Sequence, residues 1–118
     1  MKVEIKNITS PDILNFEYYN PEDKKSFSFL LELEIGELGK DGADLFTIEV
    51  CTPKWLIENY QTKDIIFGQN KIIVFEYDIK NIIDVIEKYL DSLYGDTWKD
   101  IVNQISKIAK WEFEGYES

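Results

Sequence analysis

The sequence has no histidine and no arginine, so its 13 cations are all lysine. Without histidine there is no Ser-His-Asp or Cys-His nucleophile pair, no imidazole acid or base, and no usual zinc ligand set. Without arginine there is no bidentate phosphate clamp and no arginine finger, which argues against phosphoryl transfer. Cysteine is reduced to Cys51. No intramolecular disulfide is possible, a reducing compartment fits, and a small buried hydrophobe is the natural role for this thiol. Long apolar runs are missing too: the start, MKVEIKNITSPD, has no apolar leader, and no stretch approaches the ~18 apolar residues of a membrane span. The expected location is cytoplasmic and off the membrane, and Asn7-Ile8-Thr9 is then a sequon without meaning. Repeats, linkers and low-complexity segments are absent, and 118 residues is the size of one domain, expected over 1–118.

What is present is apolar and acidic at once. Hydrophobic residues make up 44% and aromatics 14%, enough for a folded core despite 23 carboxylates and a net charge of −10. Such a charge argues against nucleic acid as a direct partner, because binding it depends on neutralising phosphates. It suits a basic protein partner, whose approach it would steer, and it equally suits plain solubility.

Period-two and helical patterns divide the chain. Residues 2–9 alternate, with Val3 and Ile5 opposite Glu4 and Lys6, as in a half-buried strand. Ser10-Pro11-Asp12 breaks it, and residues 13–26 form an irregular connection with a turn at Asn20-Pro21. The clearest strand is 27–37: Phe27, Phe29, Leu31, Leu33 and Ile35 face a core, Ser28, Glu32 and Glu34 face away, and Leu30 breaches the pattern. The glycine-rich link 36–42 leads to a second strand, 44–51, in an antiparallel hairpin with Phe46, Ile48 and Val50 inward. Thr52-Pro53 opens a short helix to residue 60 carrying Trp55 and Leu56. Residues 64–67 and 71–77 read as a hairpin or kinked strand, and the second piece, apolar on both faces, suggests a central, doubly covered strand.

Asp78 caps a predicted helix over 79–94 with an apolar stripe of Ile79, Ile82, Ile83, Ile86, Leu90 and Leu93, and with Lys80, Asp84 and Lys88 on the wet side. Thr97 and Asp100 have the form of a capping box for a helix bearing Trp98, Ile101, Val102, Ile105 and Ile108. That helix is expected to run straight into a last strand from residue 111, with Trp111 and Phe113 inward and Glu112, Glu114 and Tyr116 outward. The predicted class is α+β: a mainly antiparallel sheet with helices packed chiefly on one face.

No catalytic, cofactor or metal site emerges. The loop 36–42 fits neither GxGxxG nor GxxxxGKS/T, and Asp41 and Asp44 lack the spaced ligands of a calcium loop. Paired carboxylates could in principle serve glycoside hydrolysis, so a small acidic enzyme is one alternative and a non-enzymatic assembly module another. The aromatic stripe of Trp55, Trp98, Trp111 and Phe113 reads as core packing. Strand parity gathers one constellation: Glu32, Glu34, Glu112 and Glu114, with Glu49 beside them and Tyr116 at the margin, on the side away from the core. Such an acidic sheet face is either solvated or kept for a cationic partner, and an aromatic within a polar rim is characteristic of recognition surfaces.

Several pieces in order resemble the Imm8 family of immunity proteins from bacterial polymorphic-toxin systems. They are Ser10-Pro11-Asp12 with Pro21 and Phe27; Ile35-Gly36 with Gly42; Phe46, then 50–53, Trp55 and Leu56; Gly95-Asp96-Thr97-Trp98; and the ending Trp111 to Tyr116. Gly115 departs from the pattern, standing where an acidic residue is expected. The resemblance implies a cytoplasmic antidote that binds a cognate toxin domain without doing chemistry. It implies no cofactor and no catalytic residue, and it leaves the toxin and the oligomeric state open.

Overall fold

The strand with the cleanest alternation is the spine of the molecule. β2 (Ser28–Glu37) pairs antiparallel with β1 (Val3–Thr9) on one side and β3 (Asp44–Cys51) on the other. The computed structural model describes residues 1–61 and 65–115. Within them the chain is α+β, a mostly antiparallel sheet in the order β1-β2-β3-β4, with β4 (Lys71–Ile73) parallel to β3 and β5 (Lys110–Trp111) antiparallel to it. The far edge of β3 is therefore shared. Phe46 and Thr47 face β5, while residues 49–51 face β4.

Register explains why β1 fits although its sequence alternates imperfectly. Ile5 pairs with Ile35 but Ile8 pairs with Leu33, and the shift between Ile5 and Asn7 returns Ile8 to the inner face. One extra residue in a bulge does this. On that face Leu31, Leu33, Ile35, Phe46, Ile48 and Val50 are each at most 1% exposed. Burying side chains of this kind contributes about 1.5–3 kcal/mol apiece.

Two helices close the inner face. α2 (Ile79–Asp91) begins at Asp78, whose carboxylate accepts the Asn81 N–H at 3.2 Å, and lays Ile82, Ile86 and Leu90 on the core. α3 (Trp98–Ile105) carries the expected capping box and contributes Ile101, Val102 and Ile105. α1 (Pro53–Asn59) starts at Thr52 with Pro53 in its first turn, as expected, and buries no residue fully.

Four expectations change. α2 stops at Asp91 rather than 94, because Ser92 caps it and Leu93 turns down into the core. α3 does not run into a strand: the N–H groups of Ile108 and Ala109 both return to the Ile105 carbonyl, making a turn that tucks Ala109 inside. β5 ends at Trp111, since the Glu114 N–H bonds back to the Trp111 carbonyl at 3.0 Å and closes a turn where more strand was expected. The run 71–77 is not a central strand. β4 has three residues at the end of the sheet, residues 65–68 form no strand, and Asp64 lies outside the described residues.

The connection 10–27 is irregular, yet it is anchored. Phe16 and Tyr19 join Phe27, Phe29 and Tyr77 in a cluster of rings with centroids 5.3–6.3 Å apart. Asp12 accepts the Leu30 N–H at 2.8 Å, beyond the last residue of β2 that β1 covers.

Candidate partner-binding surface

Residues in register across a sheet share a face, so the outer face can be read row by row. One row holds Thr9, Glu32, Thr47 and Lys110; the next holds Asn7, Glu34 and Leu45; a third holds Leu30, Glu49 and Lys71. Glu32 and Glu34 do lie together on the side away from the helices, Glu32 half-buried and Glu34 exposed. Glu49 is on the same face but committed. Its carboxylate takes the Lys71 ammonium at 2.7 Å and the Ser28 hydroxyl at 2.9 Å, and the bond to Glu49 raises the pKa of Lys71. Lysines 71 and 110 thus interrupt what strand parity alone reads as a field of carboxylates.

The chain after β5 divides the rest of the constellation. Glu112 clasps Leu45: its carboxylate accepts the Leu45 N–H, and its own N–H donates to the Leu45 carbonyl at 2.9 Å. It therefore borders the Glu34 row. Glu114 sits in the following turn and lines a cleft of about 420 Å³ with Lys71 and Lys107. Tyr116 lies outside the described residues.

The aromatic stripe is placed differently from expectation. Trp55, Trp98 and Trp111 are half-buried, and Phe113 is 41% exposed because the strand that would have turned it inward has ended. The indole N–H groups of Trp98 and Trp111 converge on one oxygen, Asp44 Oδ2, at 2.8 and 3.0 Å. A single carboxylate therefore joins α3, β3 and β5. A polar handle on each indole explains why both rings stop at the margin of the core.

Two further features bear on chemistry. Glu4, Asp23 and Asp100 are held below the ordinary carboxylate range, Glu4 by the Gly39 N–H, Asp23 by the Lys54 ammonium and Asp100 by Thr97. A general acid needs a shift in the other direction. Burial pushes the Cys51 thiol up to about 11, with Glu49 adding to the effect, so the thiolate is suppressed. Among the described residues no group of three or more His, Cys, Asp or Glu is arranged to hold a metal ion. No helix there is long and apolar enough to cross a membrane.

Sequence reasoning passed over one surface. Ile73 is 45% exposed, Phe75 78% and Val85 53%, and they line a groove of about 630 Å³ between β4 and α2. The signal lies in the unbroken apolar run 72–75, a pattern that equally describes burial on both faces.

The sheet face with exposed Glu34 and the apolar groove beside β4 are both surfaces of the kind that protein recognition uses. Residues 3–116 match the model of the Imm8 family, immunity protein 8, and the chain belongs to that family. No curated protein and no solved structure matches it significantly. Membership implies a toxin protein as partner, and immunity proteins are in general not enzymes.

Proposed function

We propose that the chain is a cytoplasmic antidote that binds its cognate toxin domain through the acidic outer face of the sheet and blocks it by occlusion, without chemistry or cofactor. Glu32, Glu34, Glu112, Glu114 and Tyr116 are the residues assigned to this contact. The observation that carries the reading is the exposed Glu34 beside Glu32 on a sheet face that α2 and α3 leave open, in a chain of net charge −10. A basic toxin such as a nuclease fits best, because an acidic surface would occupy its site much as the nucleic acid does.

Co-expression with the toxin domain encoded alongside should rescue growth, and kinetic binding to an inactivated form of that domain tests the surface. Replacing Glu32 and Glu34 with Gln should leave stability unchanged or slightly raised, slow association and flatten its dependence on salt. A wild-type rate and salt slope in that variant would remove the acidic face from the interface. An assembly module is the second reading, favoured by the apolar groove at β4. Stable self-association in sedimentation, with no toxin bound, would select it.

A further inference from the structure

The edge of the sheet carries an opportunity that the acidic face does not. β3 holds one side of β4, with the Glu49 N–H on the Asn70 carbonyl and the Val74 N–H on the Cys51 carbonyl, each at 2.9 Å. In a parallel ladder alternate residues face the neighbour, so the backbone groups of Lys71 and Ile73 point away from β3. Among the described residues no strand takes them. Ile73 also borders the groove, which it lines together with Phe75 and with Ile82 and Val85 of α2. Main-chain donors and acceptors that no described residue takes up, next to an exposed apolar trough, are the two halves of a strand-addition site.

The charges choose the occupant. Glu76 and Asp78 stand on the rim, and no lysine is among the residues that line the groove. A second copy of this chain would bring the same carboxylates, and another net charge of −10, against these two. A basic segment would meet them favourably.

We propose that the β4 edge facing away from β3 takes up an extended, lysine- or arginine-bearing segment of the toxin polypeptide, which pairs as an added strand and sets apolar side chains into the groove against α2. The proposal rests on the immunity reading above and assigns a different task to each surface. The acidic face sets the rate of encounter, and the β4 edge sets how long the complex lasts.

Three variants test it on the full chain with the inactivated toxin domain: Phe75→Ser, Val85→Ser and Ile73→Pro. The first two change exposed side chains, and the third removes an N–H that faces away from β3. Denaturation curves identify any variant that fails to fold. Each folded variant should dissociate about thirtyfold faster with association changed less than about threefold, as for loss of a buried anchor. Amide exchange at residues 71–75 should slow when wild-type chain binds toxin. Wild-type binding with unchanged dissociation in Phe75→Ser and Val85→Ser would overturn the edge proposal and leave the immunity reading standing. No binding by the wild-type chain would overturn both. A toxin-free dimer that Phe75→Ser dissolves would make a second copy the occupant.

Discussion

Residues 27–35, FSFLLELEI, and 71–77, KIIVFEY, are both rich in large apolar side chains, yet they meet opposite fates. The first becomes the middle of the sheet, with Leu31 fully buried; the second becomes its rim, with Phe75 78% exposed. The difference lies in the pattern. Alternation states which side of a strand is wet, and thereby fixes its register. A continuous apolar run states only that neither side is written for water, a condition met by a doubly covered strand and equally by an edge shaped to receive one.

The contrast can be broken most directly by truncation on each side of it. Phe46→Ala, at a fully buried ring, should cost about 3–5 kcal/mol, and Phe75→Ala should stay within about 0.5 kcal/mol. Urea denaturation of the pair decides; equal losses would mean that the β4 rim is packed like the centre. Gly36→Ala comes next. A Cβ there would lie 2.1 Å from the Gly42 carbonyl oxygen, so the hairpin must open, at about 1–3 kcal/mol by the same measurement.

The half of the β3 edge closed by β5 sharpens the comparison further. Asp44→Ala strands two indole donors at the core margin and should cost about 1–3 kcal/mol, and a double-mutant cycle with Trp111→Phe should show coupling. The smallest effect is at the start of α3, where Thr97→Ala should cost about 1 kcal/mol. Its partner Asp100 has a folded-state pKa below the unfolded one, set chiefly by the Thr97 hydroxyl. Its contribution is therefore complete above about pH 4 and is lost as the pH falls through the folded value. Asp100→Asn should flatten the acid limb of the stability curve and leave its neutral slope unchanged.

Most of the fold was legible in local chemistry. Element order, the β2–β3 hairpin, the caps at Thr52, Asp78 and Thr97, and the apolar stripes of α2 and α3 follow from spacing and capping residues, which act within a few positions. What escaped depends on distant partners. The bulge between Ile5 and Asn7 is defined by β2, and the rim position of β4 by which half of β3 it finds. Asp44 looked like a loop carboxylate because both its indole partners lie more than fifty residues away. The acidic surface was partly legible. Parity predicted Glu32 and Glu34 correctly, and it lost meaning at Trp111, where the chain turns.

The two halves of the β3 edge also differ in the length of chain each must close. β4 reaches β3 across a separation of 22 residues, whereas the β5 clasp closes across 67. The longer closure costs roughly 1 kcal/mol more chain entropy, set against the β3–β5 ladder and the two indole bonds to Asp44. Chain entropy alone therefore favours closing the β4 half of that edge before the β5 half. A chain lacking β5 would keep β2 on one side of Phe46 and present the other side as an open strand edge, the kind of edge that another chain can join.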